Sequence, residues 1–450
     1  MLKRKIERKL IAWIKKSSKA LLLYGARQVG KTYIIRKVLT QQKCEFVEFN
    51  LVKNPEIARL LRNVNSIDEL VTSLSLFTSE PFIPHKTFIF LDEIQEYPEI
   101  ITKIKFFVED GRYKIIMSGS LLGVEIKNLS SAPVGYLESY TMYPLDFMEF
   151  TQLFNINESI INLLEKCYIN KEIVPDEINQ RMLSIFNLYL IVGGMPEAVV
   201  AYYKTKNLED IMSIHMQIVN QYKLDFTKYE EQNKRLKLIN TYELIPSELN
   251  EKNKRFNIKS LQEGVSFNRT QDNFIWLKKA GVAIPAYNTT EPVFPLIINE
   301  KMNLFKLFLS DVGLLTTLFG NATKVKILSQ SESINNGALY ENVVAQELNS
   351  HGYKCYYYNS KKQGEVDFII EHNSRILPIE VKSGKDYYVH SALNNLIAKY
   401  DIDEAIVLAN TNVKKNGQII YLPIYMIMFV EEQRIENMVL PYFDMRDILV

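Results

Sequence analysis

Gly25-Ala26-Arg27-Gln28-Val29-Gly30-Lys31-Thr32 follows the apolar run Leu21-Leu22-Leu23-Tyr24 and leads into a stretch with helical spacing. The octet fits G-x-x-x-x-G-K-[ST], and a strand before it with a helix after it is the context in which that pattern carries meaning. The glycines let the backbone curl until its N–H groups point at phosphate oxygens, and the following helix adds its positive end. Lys31 is expected to reach the β/γ-phosphates as a point charge, and Thr32 to hold Mg²⁺ through its hydroxyl. The ligands this predicts are ATP and Mg²⁺, cradled by Gly25, Ala26, Arg27, Gln28, Val29, Gly30, Lys31 and Thr32.

From Ala20 to Phe150, short apolar runs alternate with helical stretches, the rhythm of a parallel sheet covered by helices. Leu21–Tyr24, Phe46–Phe49, Thr87–Leu91 and Lys114–Met117 are the expected strands, mostly apolar as strands buried on both faces are. The third runs into Asp92-Glu93. In a sheet of this kind a carboxylate at that strand end holds the Mg²⁺ water shell, so Asp92 is expected as a metal residue and Glu93 as the base taking a proton from the attacking water. The fourth runs into Ser118-Gly119-Ser120, where a hydroxyl can sense the γ-phosphate; Ser118 is the candidate, with Ser120 and a plain turn as alternatives.

Beyond Phe150 the pattern changes three times. Residues 151–240 read as a helical segment interrupted at Val192-Gly193-Gly194-Met195-Pro196. Residues 241–325 have a helix-turn-helix cadence: a short helix opened by Asn257–Leu261, a turn at Gly264-Val265-Ser266, and a second helix from Asn268 to Ala280 stopped by Gly281. Residues 326–450 read as helix (336–352), three strands (354–358, 365–370, 376–382), helix (391–400) and strand (404–408), a second α/β unit.

That last unit carries Gly364-Glu365-Val366-Asp367-Phe368 and Ile379-Glu380-Val381-Lys382-Ser383. In a hairpin of this length Asp367 and Glu380 can approach and share a divalent cation, with Lys382 on the same strand face as Glu380. Two carboxylates and a lysine are a constellation for phosphodiester hydrolysis, the metal polarising the phosphate and activating water while Lys382 orients that water or offsets charge. The preceding helix offers Glu341 and Glu347 to complete the metal shell.

Composition narrows the class of protein without naming a partner. The chain has 450 residues, 47% of them apolar and 24% charged, which excludes fibrous and broadly disordered classes. Lys plus Arg number 54 against 52 Asp plus Glu, so any nucleic-acid surface has to be local. Three scattered cysteines and the lack of an apolar span point to a cytoplasmic protein. The first twenty residues hold eight Lys/Arg against one Glu, with apolar positions at helical spacing. An amphipathic helix packed on the first domain is expected there, with a nucleic-acid or membrane surface as the alternative.

Taken together, these stretches resemble the prokaryotic AAA-type ATP-binding proteins that carry a C-terminal domain of unknown function built of a winged helix and a PD-(D/E)xK nuclease-like fold. Further marks of the resemblance are Tyr143-Pro144-Leu145 ahead of Glu149-Phe150, Gly193–Glu197, Phe305-Lys306-Leu307, Ser310–Leu315, and Glu341-Asn342 with Gln346-Glu347-Leu348. The resemblance implies a P-loop core over 1–150, a helical lid over 151–240, a winged helix over 241–325 and a restriction-endonuclease-like α/β domain over 326–450. One departure is Tyr136, where relatives often carry Lys or Arg after Pro133-Val134-Gly135. DNA is the partner the winged helix implies, and residues 231–260 hold seven basic against four acidic side chains. The second helix offers only Arg269, Gln271 and Asn273 as early polar residues beside Asp272, so interdomain packing and DNA contact both stand, as does a protein partner.

Overall fold

Along Ala20–Tyr24 the side chains alternate between two cores: Leu21 and Leu23 join one buried cluster, Ala20 and Leu22 the other. That is why the run is apolar throughout, since each face of the strand meets helices. The computed structural model describes residues 2–120, 135–228, 232–251, 254–257, 260, 267–329 and 336–432. In chain order the first unit comprises α1 (Ile6–Lys16), β1 (Ala20–Tyr24), α2 (Lys31–Gln41), β2 (Phe46–Asn50), α3 (Pro55–Leu61), α4 (Ile67–Ser75), β3 (Phe88–Asp92), α5 (Ile100–Asp110), β4 (Lys114–Gly119), β5 (Leu137–Thr141) and α6 (Phe147–Thr151). Its sheet has the order β2-β3-β4-β1-β5 with every neighbouring pair parallel. The four expected strands are present; β5, half-buried and polar in places, was not foreseen because Leu137–Thr141 lacks an apolar run.

On one face, α1 buries Leu10 and Trp13 while Arg8, Lys9, Lys15 and Lys16 stay exposed. The basic N-terminal stretch is therefore a helix of the first unit, anchored by Arg4, whose Nε pairs with Glu149 at 3.0 Å and whose Nη2 donates to the Tyr143 carbonyl at 2.7 Å. Tyr136 precedes β5, and its carbonyl accepts from Ala20 N–H at the start of β1. It thus sits at the end of the sheet opposite the Gly25–Thr32 loop, where its hydroxyl donates to Glu109. Pro133 and Val134 ahead of it lie outside the described residues.

The helical stretch comprises α7 (Glu158–Asn170), α8 (Asp176–Val192), α9 (Pro196–Thr205), α10 (Leu208–Lys228), α11 (Gln232–Asn250) and α12 (Phe267–Lys279). The expected break at Val192–Pro196 separates α8 from α9, and Gly281 follows α12 at φ 74°. Of the short helix expected from Asn257 to Leu261, residues 258, 259 and 261 lie outside the described residues, as do the turn at Gly264–Ser266 and the side chains of Asn268 and Arg269. No single described helix is long and apolar enough to cross a membrane.

The rest is β6 (Ala283–Thr289), β7 (Glu300–Leu309), α13 (Val312–Leu318), α14 (Asn321–Leu328), α15 (Gly337–Ser350), β8 (Tyr356–Ser360), β9 (Gly364–His372), β10 (Arg375–Lys382), α16 (Ser391–Tyr400), β11 (Ala405–Ala409), β12 (Lys414–Asn416) and β13 (Ile419–Pro423). They build one mixed sheet, β12-β13-β11-β10-β9-β8-β6-β7. Two of its strands, β6 and β7, come from the stretch expected as a winged helix, and β6 pairs in parallel with β8. The core under this sheet is continuous with the cluster holding Leu21 and Leu23, so the segments share one interior.

Candidate functional site

The Gly25–Thr32 loop joins β1 to α2 at the C-terminal edge of the parallel sheet, where ligands of such sheets bind. Gly30 stands at φ 95° ahead of α2, a conformation that strains any side chain. At Gly25 a Cβ would fall 2.2 Å from the Met142 carbonyl oxygen, so the close pass of the segment that follows β5 requires glycine. Lys31 is buried, and its Nζ donates to the carbonyls of Gly25 at 3.1 Å and Ala26 at 2.8 Å. Burial pulls its ammonium down to about 8, against the opposing pull of Glu93 and Asp92.

Asp92 is the hub of this edge. It ends β3 in register with Asn50, the last residue of β2, whose Nδ2 donates to it at 3.0 Å. The Thr32 hydroxyl lies 3.1 Å from both Asp92 oxygens, and the Ser118 hydroxyl donates to Oδ1. Of the two candidate serines, Ser118 is thus the one that touches Asp92, while the Ser120 backbone N–H donates to Gln95. The carboxylate of Glu93 is held by the Gln95 amide, and Glu93 itself stands at φ 58°. A non-glycine residue in that region stores strain, a recurrent feature of catalytic positions. Gln95 and Asn50 were not singled out as site residues; Asn50 could have been found from its place at a strand end beside the acid strand.

The loop is also gripped from outside the sheet. Arg27 Nε lies 2.7 Å from Oδ2 of the buried Asp225 on α10, and the Tyr222 hydroxyl donates to the Arg27 carbonyl at 3.2 Å. A Cβ on Gly281, between α12 and β6, would lie 3.2 Å from Ala26 N. Arg4 Nη1 donates to the Val29 carbonyl at 3.3 Å. Ala26, Arg27 and Val29 therefore each have a neighbour in, or an anchor to, another part of the chain.

The second set of expected residues gathers on the larger sheet. Asp367 on β9 accepts from Val381 N–H on β10 at 2.9 Å, placing it beside Glu380. Lys382 Nζ lies 2.7 Å from Glu380 Oε1, while Glu380 Oε2 is buried with no hydrogen-bond partner. Glu341 on α15 faces the same cluster and pairs with Lys254. Glu347, the other acid offered by that helix, points elsewhere and accepts from Phe147 N–H at 2.8 Å. At the centre sits a residue not foreseen in this role: Lys306 of β7, fully buried, with Nζ 2.7 Å from Glu365, 3.4 Å from Glu341 and 3.6 Å from Asp367. Its place in an edge strand otherwise apolar from Phe305 to Leu309 was the available signal. Burial alone would lower the Lys306 ammonium, but Glu341, Asp367 and Glu365 outweigh it and hold it above the ordinary lysine range. Burial and the Asp367 charge push Glu380 up to about 8, with Lys382 opposing.

Comparison with known proteins bears on the two sheets differently. Residues 17–151 match the family described as an AAA domain, and residues 183–325 and 336–427 match families described as domains of unknown function, DUF8612 and DUF4143. No curated protein matches the chain. Among solved structures, the Walker-type ATPase of Pyrococcus abyssi is similar at 17% identity and a TM-score of 0.42, covering 71% of this chain and 96% of its own. Cdc6p from Pyrobaculum aerophilum is similar at 16% identity and a TM-score of 0.25, covering 72% and 92%. The Gly25–Thr32 loop, the five-stranded parallel sheet and the Asp92 hub all lie within the stretch 17–151 that matches the AAA domain family.

Proposed function

We propose that the protein is a Mg²⁺-dependent ATPase whose nucleotide state is passed to the helical and C-terminal units. The observation that carries this is the convergence of Thr32, Asn50 and Ser118 on Asp92 at the mouth of the phosphate loop. The hydroxyl of Thr32 and the carboxylate of Asp92 are an oxygen donor pair suited to Mg²⁺ and its water shell. Magnesium bound there would neutralise charge on the β- and γ-phosphates. The loop's backbone N–H groups hold the phosphates, and Lys31 exchanges its two carbonyl partners for phosphate oxygens. Glu93, oriented by Gln95, takes the proton of the attacking water, and Ser118 links the γ-phosphate to Asp92. Transmission runs through Arg27: a phosphate that reorders the loop shifts the partner of Asp225 and so the end of α10. Glu93→Gln is expected to bind ATP with near-native affinity and to lose turnover by at least about a hundredfold; equal turnover would refute the assignment of the base.

For the C-terminal cluster, the resemblance implies a winged helix and a nuclease-like fold acting on DNA. A specific observation favours the alternative, a catalytically silent module that binds a protein partner. Lys306 fills the space among Glu341, Glu365 and Asp367, so these carboxylates do not fit a divalent ion while it remains. Incubation with plasmid, linear and single-stranded DNA plus Mg²⁺ or Mn²⁺, with and without ATP, decides between them. Cleavage lost in Asp367→Ala and Lys382→Ala would overturn the silent reading.

A further inference from the structure

A third group of charged side chains lies where the P-loop unit meets the end of α15, away from both sites. Asp146, the residue capping α6, Glu347 of α15 and His351, which caps the end of α15, each present one ligand atom, and these atoms lie within 4.8 Å of one another. Glu347 is fully buried; its Oε1 takes the Phe147 N–H, and its Oε2 has no hydrogen-bond partner. That orphaned oxygen faces His351 Nε2 at 3.8 Å. His351 Nδ1 lies 2.9 Å from the Val430 carbonyl, an acceptor only, so Nδ1 carries the proton and Nε2 turns its lone pair toward the carboxylates. A histidine whose second nitrogen is fixed by a backbone carbonyl is the arrangement that orients a metal ligand.

Charge points the same way. Lys5 Nζ sits in the group, 2.9 Å from Asp146 Oδ2, 3.5 Å from His351 Nε2 and 2.5 Å from Glu431. Against that ammonium stand the carboxyl groups of Asp146, Glu347 and Glu431, an excess of acid that a cation taking the place of Lys5 would meet. Lys5 has a side chain 42% exposed and can swing to solvent, after which the three ligand atoms need to close by roughly 1 Å to reach metal-ligand distances.

We propose that Asp146, Glu347 and His351 form a binding site for a divalent transition ion of the zinc type, in competition with the Lys5 ammonium. One imidazole and two carboxylates suit a borderline cation better than Mg²⁺, which prefers oxygens throughout. The ion staples α15 to the segment leading into α6, and so fixes the larger sheet against the ATPase unit.

The test is equilibrium dialysis of the full chain against Zn²⁺ at pH 7.5 in millimolar Mg²⁺, repeated with Co²⁺ and read by its d–d absorption. One saturable ion is expected, weakened at least about tenfold in Glu347→Gln and His351→Gln. Lys5→Ala is expected to bind several-fold more tightly, an effect a merely adventitious thiol or carboxylate site would not show. Both ligand variants are expected to keep the far-UV circular dichroism of the wild type, which separates lost binding from lost folding. No saturable Zn²⁺ in either wild type or Lys5→Ala, or binding unchanged in the ligand variants, overturns the proposal.

Discussion

Replacing Lys306 by methionine removes one positive charge from the interior and keeps most of the side chain's volume. The lysine is fully buried with Glu365, Glu341 and Asp367 at 2.7, 3.4 and 3.6 Å, so its loss leaves acids facing one another with only Lys254 and Lys382 at the margins. Breaking a buried ion cluster from one side costs about 3–5 kcal/mol. A ceiling comes from the acids themselves, which can escape by taking up a proton. At roughly 1.4 kcal/mol per pH unit, neutralising an ordinary glutamate costs about 4 kcal/mol at pH 7.5 and about 1 kcal/mol at pH 5. Lys306→Met is therefore expected to destabilise the larger sheet by about 3–4 kcal/mol at pH 7.5 and by no more than about 1 kcal/mol at pH 5. Urea unfolding at the two pH values, followed by tryptophan fluorescence, measures the difference. A loss that is the same at both, or below about 1 kcal/mol at pH 7.5, would refute the view of Lys306 as the cluster's internal cation.

Other expectations follow from the same geometry. Arg27→Ala strips the cation from a carboxylate only 2% exposed, whereas Asp225→Asn leaves an arginine 22% exposed that can turn to water. The first is expected to cost about 3–5 kcal/mol and the second about 1–2 kcal/mol, with ATP affinity altered in both; calorimetry on the pair checks the asymmetry. Glu380 titrates near 8 in the fold against about 4.5 ordinarily, so the folded state holds its proton more tightly. Its contribution to stability is present below pH 4.5 and is lost as pH rises through 8. Glu380→Gln is accordingly expected to raise the melting temperature relative to wild type above pH 8 and to leave it nearly unchanged at pH 5; the opposite order across a pH series of melting curves would contradict this.

The parallel sheet was legible because each of its expected strands is a short apolar run ending in chemistry: Leu23-Tyr24 before the phosphate loop, Leu91 before Asp92, Met117 before Ser118. Hydrophobic patterning and the loop's own signature agree there, and local and global signals point to one answer. Strand β5 escaped because Glu138, Ser139 and Thr141 dilute its apolar signal, and its partner β1 supplies the burial. The joining of β6 and β7 to the larger sheet could not be read locally, since strand pairing across some seventy residues leaves no periodicity in either partner. The same limit hid the central place of Lys306. Asp367 and Glu380 are near neighbours in one hairpin, but the lysine arrives from a strand 61 residues before Asp367. Arg27 was named as a loop residue by its position in the motif, whereas its tie to Asp225 depends on how α10 packs.

ATP turnover at the Gly25–Thr32 loop is the proposal most open to direct measurement, and Lys31 is the residue within it that donates to the loop's own carbonyls at 3.1 and 2.8 Å. Steady-state phosphate release from ATP with Mg²⁺, measured for wild type and Lys31→Ala side by side, addresses that claim directly. Turnover by the wild type that falls at least about a hundredfold in the variant is the predicted result. Equal rates in the two proteins would contradict it.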